Sequence, residues 1–328
     1  MNAGPPPGAL RLSARELAPA WPASCAASDS EIIAALCEPR ARISPKYFYD
    51  AAGSALFERI TRLPEYYPTR TERAIMTLAA GELRQQLGAG ATVIELGAGS
   101  CEKARLLCDL IQPRAYLAVD ISADFLGQAV AGLRCALPGV EVRSLVADIE
   151  DEVTLPADLG GGQRLVFYPG SSIGNFDPEP AAALLASMRR LAAAGGLALI
   201  GVDLIKERSL LEAAYNDAAG ITARFNLNAL AHLNRLIGSD FDRRQWRHLA
   251  FFNAARSRIE MHLQATVDAR VCWRGGERSF RRGECIHTEN SYKYTIEHFG
   301  RMLERAGFRE RLWWTDQRRW FALFLARA

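Results

Sequence analysis

Between residues 92 and 202 the chain alternates short, mainly apolar runs with longer stretches in which apolar positions recur every three or four residues. The runs fall at 92–96, 115–119, 141–146, 165–168 and 197–202. A strand that is apolar at consecutive positions has to be covered on both faces, and the helical stretches between the runs supply that cover. The pattern therefore predicts five parallel strands joined by crossover helices. Upstream, residues 30–36 suit a short helix, and residues 51–62 carry Leu56, Ile60 and Leu63 at helical spacing before Pro64 closes the pattern. Thr69 or Thr71 is expected to cap a further helix reaching residue 87. Near the C-terminus, residues 296–306 are helical in pattern, and the apolar runs 308–314 and 320–325 read as a hairpin turning through Thr315-Asp316-Gln317-Arg318.

Five parallel strands and a closing hairpin are the plan of an α/β, Rossmann-like class I methyltransferase sheet. Residues 203–294 interrupt that plan with helices and alternating runs of their own, such as 259–267. This segment is expected to form an inserted α+β substrate-binding domain. The division expected is a disordered leader over 1–28, a nucleotide-binding domain from 72–203 and 294–328, and a substrate domain from 29–71 and 204–293.

Composition narrows the ligand. A chain of 328 residues with 49% hydrophobic content can bury two cores, and a net charge of +3 gives no field for nucleic acid or an anionic membrane. A small molecule is the expected partner, acted on by a monomer. The seven cysteines are scattered without a C-x-x-C pair, and no segment reads as a secretion signal or a membrane span. Both features point to a reducing cytoplasm. The five histidines (His232, His248, His262, His287, His298) lack metal-ligand spacing; they are read as surface or packing residues, and no metal is expected.

Glu95-Leu96-Gly97-Ala98-Gly99 follows the first strand and precedes a helix, so Gly97 and Gly99 allow a sharp turn and close approach to a ligand. A dinucleotide fingerprint would require a third glycine where Glu102 stands, which favours S-adenosylmethionine over NAD. Asp120, ending the second strand, suits the ribose hydroxyls, although aspartate also makes a good helix cap. Asp148 and Ile149, after the third strand, offer a carboxylate and an apolar wall to an adenine; a solvated loop aspartate is nearly as good a reading. Lys103 by itself reads as a solvent-facing lysine.

Several longer strings carry a resemblance. Pro45-Lys46-Tyr47-Phe48-Tyr49-Asp50, Pro64-Glu65-Tyr66-Tyr67-Pro68-Thr69-Arg70-Thr71-Glu72, Gly174-Asn175-Phe176, Tyr215-Asn216-Asp217, Phe225-Asn226, Ile259-Glu260-Met261 and Thr288-Glu289-Asn290-Ser291 are similar to the histidine Nα-methyltransferase family of ergothioneine biosynthesis. The likeness spans nearly everything after Ile43. It implies stepwise conversion of L-histidine to the trimethylated betaine hercynine with S-adenosylmethionine and without metal. It further implies that Lys103 meets the methionine carboxylate of the cofactor. Tyr66, Asn175 and Tyr215 would hold the substrate's α-amino and α-carboxylate groups, with Tyr49 beside the amine. Glu289 and Ser291 would read the imidazole, and Met261 would wall the ring. The run Glu289-Asn290-Ser291-Tyr292-Lys293 departs from the Glu-Val-Ser-Ala-Lys form of part of the family, which leaves Tyr292 without a role.

Singly, these residues have plainer readings: tyrosines near proline pack core edges, Asn175 could start the helix at Pro178, and Met261 suits a core strand. Two other functions also fit parts of the pattern. One is the same chemistry on tryptophan or tyrosine, which the buried carboxylate of Glu289 would penalise. The other is a catalytically silent methyltransferase fold, against which Gly97, Gly99, Asp120 and Asn175 all speak. An oxidoreductase is disfavoured by Glu102.

Overall fold

The computed structural model describes residues 23–87, 90–159 and 162–328. Helix α1 (Ala23–Cys37) leads through a 3-10 turn (Pro45–Phe48) into α2 (Ala51–Ile60) and α3 (Tyr67–Leu87). Then come β1 (Thr92–Leu96), α4 (Glu102–Ile111), β2 (Ala115–Asp120), α5 (Ala123–Ala136), β3 (Glu141–Val146), β4 (Arg164–Tyr168), a 3-10 turn (Ser172–Asn175), α6 (Pro178–Ala192) and β5 (Leu197–Asp203). The insert holds α7 (Arg208–Tyr215), α8 (Ile221–Leu236), β6 (Trp246–Asn253), β7 (Arg258–Ala265), β8 (Ala269–Trp273), β9 (Gly276–Phe280) and β10 (Cys285–Tyr292). Helix α9 (Ile296–Arg305), β11 (Arg311–Thr315) and β12 (Phe321–Arg327) complete the chain.

The seven-stranded sheet runs β11-β12-β5-β4-β1-β2-β3. Strand β12 enters antiparallel beside β5, and the strands from β5 to β3 are parallel, as the apolar runs require. One face of this sheet packs Val93, Tyr116 and Phe167 under α3 and α4; the other packs Ile94, Val166 and Ile200 under α6 and α9. A separate core gathers Ile32, Phe48, Tyr67, Phe225, Leu230, Trp246, Met261 and Ile286, joining the N-terminal helices to the insert. Its sheet has the order β10-β7-β6, with the hairpin β8-β9 beside it.

Three expectations about the N-terminal region change. The first helix begins at Ala23 instead of residue 30, so the leader expected over 1–28 lies outside the described residues only as far as residue 22. Helix α3 starts at Tyr67, and neither Thr69 nor Thr71 caps it. Pro68 explains the earlier start, because proline is favoured in a first turn where its missing N–H has no partner to lose. Thr71 instead donates its hydroxyl back to the carbonyl of Tyr67 at 2.8 Å.

The aromatic string near residue 47 is pinned from two sides. Asp50 caps α2 by accepting from Gly53 N at 2.7 Å, accepts from Asn228 on α8 at 2.7 Å, and pairs with Arg235. A side chain at position 53 would collide with the Phe48 carbonyl, which a Cβ would meet at 1.7 Å. Phe48 packs against Phe225 at a tilt, with ring centroids 4.7 Å apart, and Tyr49 meets both Phe57 and Phe225 edge-on at 5.7 Å.

Candidate active site

A cavity of about 890 Å³ opens where the carboxyl ends of β1, β2 and β4 meet the insert and the N-terminal helices. That is room for a nucleoside and an amino acid together. Of the residues singled out from the sequence, Gly97, Gly99, Lys103, Asp120, Asp148, Ile149, Asn175, Tyr49, Tyr66 and Glu289 line it. Tyr215, Met261 and Ser291 do not; they stand in the layer behind.

At the sheet end, Gly97 and Gly99 adopt φ of +65° and +52°, conformations that strain any other residue. Asp120 orders their loop: one carboxylate oxygen accepts from Gly99 N and the other from Ser122 N, both at 2.9 Å. The N-cap of α5 is Ser122, so the helix-cap reading of Asp120 gives way to one in which it ties two cavity-lining loops and keeps a lone pair on each oxygen for a ligand. Asp148 faces Lys46 at 3.4 Å across the cavity rim. The glycine loop, the acidic strand end and Ile149 form a cradle that fits an adenosyl group.

Lys103 is not a solvent lysine. It pairs at 2.6 Å with Glu72, which is 0% exposed and also accepts from Gly170 N at 2.9 and 3.0 Å. Strand β5 makes room for Glu72 with Gly201, where a Cβ would lie 1.9 Å from the carboxylate. Sequence reasoning missed Glu72; a glycine in the middle of an apolar strand was the available signal. Glu72→Ala should lower unfolding free energy by about 3 kcal/mol, because the half-buried ammonium loses its partner. Chemical denaturation of the two proteins measures the difference.

At the other end, the turn carrying Asn175 presses onto β10, since a Cβ at Gly174 would lie 2.8 Å from the Tyr292 carbonyl. Asn175 therefore ends a 3-10 turn and does not begin α6, whose N-cap is Asp177. Tyr49 and Tyr66 bring phenols into the cavity, and burial raises both well above the ordinary tyrosine value, helped by Glu289. They stay neutral at physiological pH. Tyr66 leans edge-on to Tyr215 at 6.5 Å. Behind them, the Tyr215 hydroxyl donates to Ser291 Oγ at 2.7 Å, and Lys293 Nζ donates to the same oxygen at 2.7 Å. Lys293 also pairs with Asp203 at 2.8 Å, and Asp203 is held by Lys206 at 2.5 Å and by the Tyr67 hydroxyl at 2.7 Å. This buried network joins β5, α3 and β10 beneath the cavity. Asp203, Lys206 and Lys293 were not legible as site-supporting groups, because they become neighbours only when the sheets pack.

A bulge between His287 and Glu289 sets which β10 side chains face which side. Glu289 stands opposite Met261 and Ser291 opposite Ile259, whereas His287 stands opposite His262. Glu289 is 8% exposed, and no protein hydrogen bond to its carboxyl is found among the described residues. Burial pushes its pKa up to about 8, with Lys293 pulling the other way. Because the unfolded value is 4.5, this group favours the folded state fully below pH 4.5, and that contribution is lost as the pH rises towards 8. Glu289→Gln is thus expected to be more stable than the parent at pH 8.5 by a few kcal/mol and nearly equal to it at pH 4.5, as denaturant titrations at the two pH values would register.

The surface-or-packing reading of the histidines needs correcting at three positions. His248 is bonded to the Tyr215 carbonyl at 2.9 Å and to Asn226 at 2.9 Å, bracing the tyrosine. His262 and His287, whose ring centroids are 5.0 Å apart, both line the cavity. Tyr292 also acquires a role: its hydroxyl donates to Asp177 and accepts from Arg258, both at 2.8 Å. Met261, at 1% exposure, is part of the core under Glu289.

Among the described residues, no helix is long and apolar enough to cross a membrane. The model of the histidine-specific, S-adenosylmethionine-dependent methyltransferase family matches residues 28–328. The chain is 41% identical over 290 residues to a histidine N-alpha-methyltransferase of Mycolicibacterium smegmatis, a match covering 87% of this chain and 89% of that protein. A histidine N-alpha-methyltransferase of Mycobacterium tuberculosis is 39% identical over 293 residues, with the same two coverages. Ergothioneine biosynthesis protein 1 of Neurospora crassa is 32% identical over 277 residues, covering 81% of this chain and 31% of that protein.

Proposed function

We infer the activity from one premise: the chain belongs to the histidine-specific, S-adenosylmethionine-dependent methyltransferase family. It is an enzyme that methylates the α-nitrogen of L-histidine stepwise to hercynine, the first step of ergothioneine biosynthesis. The observation that carries the substrate assignment is Glu289: a buried carboxyl without a hydrogen-bond partner among the described residues, in the same cavity as the glycine loop and Asp120. S-adenosylmethionine, when bound, supplies a methyl group on a sulfonium, so that no metal or strong acid is needed for transfer.

What the chain must do is bind, align and manage protons. Gly97, Gly99, Asp120, Asp148 and Ile149 would hold the adenosyl part, with Asp120 at the ribose, and Lys103, kept in place by Glu72, would meet the cofactor's carboxylate. Asn175 would orient the α-amine through its amide oxygen, and Tyr49 and Tyr66 would hold the amino and carboxylate groups as neutral phenols, with Tyr215 bracing Tyr66 from the layer behind. Neutral acceptors matter here, because a carboxylate beside the amine would stabilise the unreactive ammonium. Glu289 belongs at the imidazole, over the apolar floor that Met261 provides, with Ser291 behind it in the hydrogen-bonded layer.

The separate core under the insert supports assigning 72–203 and 294–328 to the cofactor and 29–71 and 204–293 to the substrate. Free cysteines at Cys37, Cys101, Cys108, Cys135, Cys272 and Cys285 suit a reducing cytoplasm. The test is a screen of free amino acids with S-adenosylmethionine, read by mass spectrometry. Mono-, di- and trimethylated histidine are expected; turnover of tryptophan or tyrosine with none of histidine would overturn the substrate assignment.

A further inference from the structure

The cavity continues past the edge of β10 to the other face of the small sheet, where Arg258, Glu260, His262 and His287 line it. None of these takes part in the methyl transfer described above. We propose that Glu260, His262 and His287 form a binding site for a divalent transition-metal ion of the zinc class, separate from the methyl-transfer centre.

The strand geometry brings the three together. Glu260 and His262 are two apart on β7 and so share a face, and the register before the bulge sets His287 directly opposite His262. One ligand atom from each residue lies within 4.8 Å of the others. In a tetrahedral zinc site with bonds of about 2.0–2.1 Å, ligand atoms stand about 3.4 Å apart, so side-chain rotations of under about 1.5 Å close the site.

The hydrogen bonds leave the needed lone pairs open. Oε1 of Glu260 accepts from Arg258 Nε at 2.8 Å and Asn253 Nδ2 at 2.9 Å and also meets Arg258 Nη2 at 2.7 Å. Oε2 is spared; it faces His262 Nε2 at 3.7 Å, too far for a hydrogen bond. Nδ1 of His262 is buried with no hydrogen-bond partner among the described residues, which a packing role does not explain. His287 Nε2 lies 2.9 Å from Asn290 Oδ1, and the Asn290 amide nitrogen faces Asp177 at 3.4 Å. An amide oxygen only accepts, so His287 carries its proton on Nε2 and leaves Nδ1 free to ligate, the outer-shell arrangement usual for metal-binding histidines. Arg258 does not reverse the local charge. It pairs with Asp177 at 2.9 Å as well as with Glu260, so its charge is shared between two carboxylates.

The experiment titrates the chelator-stripped full chain with zinc against a chromophoric chelator, without cofactor or histidine, so the result is independent of the methyl-transfer reading. One tight equivalent is expected. Since losing an outer-shell partner alone costs about 10–100-fold in metal affinity, the double variant His262→Ala/His287→Ala should weaken binding at least about a hundredfold. Circular dichroism checks its folding, and His287→Gln replaces it if it fails to fold. Cobalt substitution should give visible d–d bands without the intense near-ultraviolet thiolate band. A thiolate band, unchanged affinity in the folded variants, or no equivalent held at micromolar zinc would each overturn the site.

Discussion

Glu289→Ala should lower kcat/KM for histidine by about ten- to a hundredfold, the loss expected when a charge-assisted hydrogen bond worth about 1.5–3 kcal/mol is removed. Burial at 8% exposure and a pKa raised to about 8 show a carboxyl that the fold has stripped of water and of partners. An azole repays that desolvation because its two ring nitrogens offer both a donor and an acceptor, whereas an indole offers only an N–H donor. The alanine variant should therefore lose discrimination as well as rate: its kcat/KM for tryptophan should not fall in parallel. Glu289→Gln separates charge from shape. It retains hydrogen-bonding capacity, so a loss as large as that of alanine would assign the effect to the ionisable proton, and an unchanged specificity constant in both variants would remove Glu289 from ring recognition.

Asp120→Ala should weaken S-adenosylmethionine binding by on the order of 3 kcal/mol, more than about a hundredfold, whichever amino acid is supplied. Two losses combine. The ribose forfeits its acceptor, and the amides of Gly99 and Ser122, each bonded to this carboxylate at 2.9 Å, lose the group that orders both loops. Asp120→Asn should be damaging too, since the amide presents N–H groups towards one of those two N–H donors. Calorimetry with the cofactor alone reads the effect, and wild-type affinity in the alanine variant would defeat the ribose assignment.

Much of the fold was legible because its signals are local. Short apolar runs marked β1 to β5 within a residue or so of their observed ends, most plainly in β1, β2, β4 and β5, which are buried along nearly their whole length, whereas the edge strand β3 alternates exposed and buried positions. The glycine loop and the acidic strand end were legible for a similar reason: positive φ and strand-end position belong to single residues. The N-terminal helices were less well delimited, because Tyr67-Pro68 and Thr69 offer competing starts and tertiary packing chose the first.

The motif strings mixed residues that touch the cavity with residues that only support it. Asp217 accepts from Ile221 N and Thr222 N at 2.8 Å and so satisfies the first amides of α8, and Asn226 holds the His262 carbonyl at 3.0 Å; neither lines the cavity. One dimension does not distinguish a ligand-facing polar group from one that satisfies a buried backbone.

By itself, the sequence determined the parallel sheet, the closing hairpin, the interrupting insert and the family, because periodicity and ordered strings are properties of the chain read in line. Tertiary structure alone decided that Glu72 secures Lys103, that Asp203 ties Lys293 and Lys206 beneath the substrate end, and that a one-residue bulge turns Glu289 away from His287. Side chains two apart on a regular strand share a face, so the plain pattern would have put those two together. An inserted residue reverses that alternation, and only pairing with the neighbouring strand reveals where it falls.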